Sequence, residues 1–222
     1  MPRAARFVLP GYPHHVTQRG NRRQQTFFND EDYALYLDLL QSACAQSDVA
    51  CWAYCLMPNH VHLILEPHDQ TGLGAALKRT HQSYTRQVNA REGWSGCLWQ
   101  GRFGSSAMDE AHALIAVRYV ELNPVKAMLC QQARDWPWSS ARAHLTGEPD
   151  PILSATPFLE RIPDWNAYLH QGLDPAIEAR IGYFTGTGYP MGADDWISAL
   201  ETKSGRDLRP KPRGRPLKEA TE

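Results

Sequence analysis

Two histidines stand two residues apart in the run His60-Val61-His62-Leu63-Ile64-Leu65-Glu66. A stretch of this composition reads as a strand, in which successive side chains alternate between faces. Both imidazoles therefore project from one face, while Val61, Leu63 and Leu65 point the other way into a core. Two ring nitrogens on one rigid surface make half of a metal site. Further along, Tyr119-Val120-Glu121-Leu122-Asn123-Pro124 offers a phenol and an amide one helical turn apart.

That second run belongs to a helix capped by Asp109 and expected to end at Pro124. Ala113, Ala116, Val117 and Val120 form its apolar stripe. Tyr119 lies well off the stripe, on a side shared with His112, Ile115 and Asn123. A sheet presenting two histidines would give the phenol a destination, and phosphoryl transfer then becomes the natural reading. A cation on His60 and His62, with the Asn123 amide oxygen as third ligand, keeps positions open for a DNA phosphate oxygen. It draws charge from phosphorus while Tyr119 attacks in line to give a protein–phosphate ester. Two nitrogens and an amide oxygen suit Mn²⁺; Mg²⁺ is the alternative, though it prefers oxygen. Tyr84 is a competing nucleophile, but it lacks an amide four residues on. A structural zinc on Cys51, Cys55, His60 and His62 is a rival use of the histidines, because the two cysteines share strand parity.

Several elements must position these groups. His14 to Gln18 reads as a short strand, with His14-His15 offering one ring that could line the site. Asn29 or Asp30 caps a helix through Tyr33, Leu37 and Leu40. Val49 to Leu56 is a strand, Met57-Pro58-Asn59 a turn, and the histidine strand follows. A helix runs from Thr71-Gly72-Leu73 to about Asn89, then a loop rich in Gly and Trp leads to a short strand over Ser105 to Met108. The pattern predicts an α+β sandwich with a mainly antiparallel sheet.

The chain has 222 residues, 42% of them hydrophobic and 21% charged, which allows one sizeable soluble domain with an appendage. No apolar run approaches a membrane span, and the N-terminus lacks a signal peptide's apolar core, so a cytoplasmic protein with no membrane partner is expected, nucleoid-associated given DNA as its substrate. Five cysteines, an odd number, are expected reduced. The net charge of −1 hides a basic end: residues 203–218 carry 7 basic groups and 1 acidic group. Domain limits are expected at 1–148 for a catalytic body, 149–202 for an accessory segment rich in proline and acids, and 203–222 for a basic, disordered, DNA-binding tail. Candidate phosphate contacts are Arg19, Arg22 and Arg23 near the start and Lys78, Arg79 and Arg86 on a helix. Trp99 and Arg102 are candidates for stacking on or pairing with unpaired bases. In the tail, Lys211-Pro212-Arg213-Gly214-Arg215-Pro216 is similar to an AT-hook, with Arg213 and Arg215 reaching into a narrow minor groove.

Three motifs, in order and spacing, resemble the REP-associated tyrosine transposases: Tyr54-Cys55-Leu56-Met57-Pro58-Asn59-His60-Val61-His62-Leu63, Leu98-Trp99-Gln100-Gly101-Arg102-Phe103 and Tyr119-Val120-Glu121-Leu122-Asn123-Pro124-Val125-Lys126-Ala127. These belong to the HUH single-strand endonucleases with one catalytic tyrosine, and the likeness runs from about residue 7 to 145. The resemblance implies a ferredoxin-like α+β fold with the histidine strand central, helices on one face and a C-terminal extension. It implies cleavage of single-stranded DNA at hairpin-bearing repetitive palindromes, with no small-molecule substrate, and leaves a homodimer open. By position, it implies His60 and His62 as ligands of Mg²⁺ or Mn²⁺, Asn123 as third ligand, and Tyr119 as the nucleophile forming a 5′-phosphotyrosine link. Related transposases carry glutamine where Asn123 stands. Thr185-Gly186-Thr187-Gly188-Tyr189-Pro190 departs from the family's pattern and receives no role. Two rival readings remain: a non-catalytic regulator that binds palindromes on the same fold, and a zinc-stabilised interaction module.

Overall fold

In a computed structural model, residues 6–155 and 162–210 are described. Four strands form one antiparallel sheet: β1 (His14–Arg19), β2 (Val49–Met57), β3 (His60–Pro67) and β4 (Gly104–Ala107), in the order β2-β3-β1-β4. Between β1 and β2 lies α1 (Asp30–Gln46), and between β3 and β4 lies α2 (Gly72–Glu92). This β-α-β-β-α-β order is the ferredoxin-like arrangement. Beyond it come α3 (Glu110–Lys126), α4 (Ala141–Thr146), α5 (Trp165–His170), α6 (Pro175–Thr187) and α7 (Asp194–Ser204).

The caps follow the local chemistry. Asn29 begins α1 by accepting the backbone N–H of Asp32, and Asp109 begins α3 by accepting that of His112. Pro124 does not end α3, as expected, but sits inside it. The helix continues to Lys126, and its last turn is closed by the Ala127 N–H bonding the Asn123 carbonyl.

The expectation of helices on one face is corrected by the packing. Val61, Leu63 and Leu65 do pack with Tyr36, Leu40, Leu73, Leu77 and Tyr84 of α1 and α2. The opposite face is also apolar at Ala53, Cys55, Met57 and Ile64, and it is covered by Ala113, Ala116, Val117 and Val120 of α3 with Ile181 of α6. A sheet with two apolar faces needs cover on both. The four residues of the α3 stripe are fully buried.

A β-bulge sets the faces of β2. Cys51 pairs with Leu65 and Ala53 with Ile64, leaving Trp52 as the extra residue. The inserted residue inverts the alternation, so Cys51 enters the α1–α2 core and Cys55 the α3 core. Shared sequence parity therefore does not bring the two thiols together, which removes the proposed four-ligand zinc site.

The C-terminal part is built onto this body. Met191 bridges Met108, and the Met191 N–H bonds the Ala107 carbonyl. Residues 203–208, expected to begin a disordered tail, are folded: α7 ends at Ser204, and Leu208 is buried against Phe7, Ala107, Ile197 and Leu200. Arg213 and Arg215 lie outside the described residues. No helix among the described residues is long and apolar enough to cross a membrane.

A candidate strand-transfer site

The register of the sheet gathers the site. Opposite His60 stands Arg19, and opposite His62 stands Thr17, so β1 presents His15, Thr17 and Arg19 on the same face as the two β3 histidines. On the other flank Met57 and Cys55 pair with His60 and His62. The His60 and His62 ring centroids are 4.9 Å apart. From α3, the Tyr119 ring meets His62 edge-on at 5.4 Å and His15 at 5.6 Å. The sequence expectation that Tyr119 faces the histidine pair matches this placement.

Each histidine is held through Nδ1. His60 Nδ1 lies 2.6 Å from Asn59 Oδ1, and the Asn59 amide nitrogen is in turn engaged by the Arg23 carbonyl at 3.1 Å. That second bond orients Oδ1 toward His60, so the ring donates from Nδ1. His62 Nδ1 lies 3.0 Å from His15 Nε2, and His15 Nδ1 lies 2.7 Å from Thr185 Oγ1. Burial lowers the pKa of His60 to about 4, helped by Arg19, and holds that of His62 well below the ordinary value. Neutral imidazole is the metal-binding form. With Nδ1 engaged and Nε2 taking no hydrogen bond among the described residues, both rings suit a divalent cation, and the Nδ1 partners are the outer-shell supports such ligands use. Among the described residues, no three His, Cys, Asp or Glu side chains gather as a metal cage, so a cation held by the two rings would need any further protein donor to be of another type.

Asn123, one turn beyond Tyr119 on α3, carries an oxygen of such a type. Its amide nitrogen donates to the Tyr119 carbonyl one turn earlier at 2.8 Å. The amide oxygen remains for a hard cation. Tyr119 itself is partly buried, and its pKa is raised, first by desolvation and then by Glu178; Asn123 and Arg19 pull the other way. Glu178 is paired with Lys126, whose ammonium lies 5.9 Å from the Tyr119 ring centroid.

Other candidates fall elsewhere. Tyr84 is fully buried on the far side of the sheet, and its hydroxyl donates to the Thr26 carbonyl at 2.6 Å, which removes it as a nucleophile. Trp99 is 7% exposed and packs among Phe27, Tyr36, His81 and Tyr84, as a core residue rather than a free stacking platform. Arg22 and Arg23 are exposed in a left-handed turn with φ of 54° and 62°. Lys78, Arg79 and Arg86 are exposed on α2, with Arg79 bonded to Gln46 and Arg86 to Ser83. Arg19 and Arg102 line a cleft of about 680 Å³ together with Arg6, Arg206 and Asp207. Thr185 also lines it, so the cleft runs beside the histidine site. Sequence reasoning gave Thr185 no role and left His15 undecided. The only sequence signal for His15 was its strand parity with Thr17 and Arg19.

Residues 10–123 match the family described as transposase IS200-like, and the chain belongs to that family. A curated Haemophilus influenzae protein described as a REP-associated tyrosine transposase is 26% identical over 107 residues, covering 43% of this chain and 61% of the relative's length. A solved REP-associated tyrosine transposase bound to a REP hairpin aligns with a TM-score of 0.56 at 21% identity, covering 70% of this chain and 93% of that one. At that identity the structural likeness establishes the shared fold.

Proposed function

We propose that this chain is a metal-dependent, single-strand DNA endonuclease and strand transferase that acts on hairpin-bearing repetitive palindromes through a tyrosine–phosphate intermediate. The observation that carries the reading is the Tyr119 ring standing edge-on to His62 at 5.4 Å, on the face that also holds His60. A hairpin substrate is supported by the relative solved on a REP hairpin.

His60 and His62 would hold Mg²⁺ or Mn²⁺ through Nε2, with the Asn123 oxygen as third ligand. When bound, the cation would supply Lewis-acid stabilisation of charge on the scissile phosphate. Arg19 and Arg102 would anchor the unpaired strand along the cleft by its phosphates. Tyr119 would lose its proton, and its oxygen would form a bond to phosphorus as the P–O3′ bond breaks; the departing 3′ oxygen takes up a proton. The ester keeps the energy of the broken bond, so a second 3′-hydroxyl can reverse the step and rejoin a strand without ATP. Residues 1–148 would form the catalytic body, 149–202 its accessory segment, and Arg213 and Arg215 would serve a minor-groove contact in the tail.

The test is incubation with a synthetic hairpin-bearing single strand and Mn²⁺ or Mg²⁺. A 3′-end label should migrate with the protein in a denaturing gel, while a 5′-end label should appear in a shortened free strand, and EDTA should abolish both. Hairpin binding with no cleavage under either metal would contradict the proposal and favour the regulator reading.

A further inference from the structure

We propose that Thr185 and His15 are positioning residues that fix the tautomer of His62, so that its Nε2 carries the lone pair, and that α6 thereby belongs to the strand-transfer site. The proposal rests on the reading of His62 as a cation ligand.

The chain of bonds is short and directional. The Thr185 hydroxyl lies 2.8 Å from the Ile181 carbonyl, an acceptor with no proton to give. A hydroxyl has one proton. If it goes to Ile181, Thr185 Oγ1 accepts from His15 Nδ1–H at 2.7 Å. Neutral His15 then has a bare Nε2, which accepts from His62 Nδ1–H at 3.0 Å, and the His62 proton is placed away from the site.

Running the chain backwards would block the ligand position. Thr185 would donate to His15, His15 Nε2–H to His62 Nδ1, and the last proton would sit on His62 Nε2. That arrangement puts a proton on the one ring nitrogen that faces the open side of the site, where the cation would bind, so only the forward direction leaves His62 Nε2 free as a ligand. In the forward direction every N–H and O–H of the chain has an acceptor.

The backbone is shaped for this contact. A Cβ at Gly104 would lie 2.8 Å from the Thr185 carbonyl and 3.3 Å from Thr17 Oγ1, so only glycine lets α6 approach β4 this closely. The partners are separated by 170 positions in sequence, and the helix reaches the sheet from the C-terminal accessory part. The Thr185-Gly186-Thr187-Gly188 run thereby acquires a role: it carries the outer end of the relay.

The test uses the full-length, metal-free protein labelled with ¹⁵N-histidine. Long-range proton–nitrogen spectra of the wild type should show His62 protonated at Nδ1. Thr185→Val, close in shape but without the hydroxyl, should leave a mixture of tautomers and weaken Mn²⁺ binding by about tenfold or more, measured by calorimetry. Thr185→Ser should restore both. A wild-type His62 protonated at Nε2, a reading that needs no variant, overturns the proposal alone. So does a valine variant with unchanged tautomer and affinity. Mn²⁺ affinity that survives His62→Ala would overturn the cation reading, and this proposal with it.

Discussion

Tyr119 and His62 meet edge to face, with ring planes at 87° and centroids 5.4 Å apart. One ring comes from a helix and the other from a strand, so their relation depends on how α3 is seated on the sheet. Val117 and Val120 bury one side of α3 against Ile64 and Cys55, and Tyr119 is carried onto the histidines by the turn between them. The phenol is therefore aimed by rigid elements rather than by a loop.

Glu121, two residues beyond Tyr119, anchors the same helix. Its carboxylate is fully buried and accepts from Ser140 Oγ at 2.7 Å, His144 Nδ1 at 2.5 Å and Trp165 Nε1 at 2.8 Å. Glu121→Ala leaves His144 Nδ1 and Trp165 Nε1 without an acceptor and Ser140 Oγ with only the Tyr54 carbonyl at 3.3 Å, and should lower stability in urea unfolding by on the order of 3 kcal/mol or more. A loss under about 1 kcal/mol would show that the network does not hold α3.

Acid should destabilise the fold through its buried histidines. His14 Nδ1 donates to the Tyr12 carbonyl and its Nε2 accepts the Leu9 N–H, so the ring has no room for a second proton. Burial lowers its pKa from 6.5 to about 4. The unfolded chain thus binds a proton that the folded chain refuses. Stability from this group is full above pH 6.5 and is lost as pH falls toward 4. His15, lowered to about 3 by burial, adds to the same trend. Urea midpoints should fall steadily from pH 7 to pH 4.5, and His14→Gln should be less stable at pH 7 but lose less across that range. A flat profile would contradict the assignment.

Much of this was legible in the sequence. The parity of His60 and His62, the buried stripe of α3, the position of Tyr119 off that stripe, and the caps Asn29 and Asp109 all follow from periods and local hydrogen bonding. What was hidden depended on long-range placement. The bulge at Trp52 inverted the faces of β2 without a sequence mark, so Cys51 and Cys55 looked convergent and are not. Pro124 read as a helix end, yet the last turn closes past it on the Asn123 and Val125 carbonyls. Trp99 stands as a candidate for base stacking on sequence alone, because nothing local shows that Phe27, Tyr36 and Tyr84 surround it. Thr185 had no local signal at all, since its partner is a strand at the other end of the chain.

The cleft makes a separate prediction about salt. If Arg102 contacts a phosphate of the unpaired strand, Arg102→Ala should weaken binding to a hairpin with a single-stranded flank. It should also reduce the slope of log affinity against log salt by about 0.7 for one single-strand contact. Removing the flank from the oligonucleotide should erase the difference between variant and wild type. An unchanged slope would place the strand elsewhere.

The central claim is that one phenolic oxygen carries the DNA. Peptide mapping of the covalent adduct by mass spectrometry, with wild type and Tyr119→Phe run on the same hairpin substrate and Mn²⁺, tests it most directly. The account predicts a nucleotide phosphate attached to Tyr119 in the wild type and no adduct from the folded phenylalanine variant. An adduct on any other residue, or one that persists undiminished without the Tyr119 hydroxyl, would contradict it.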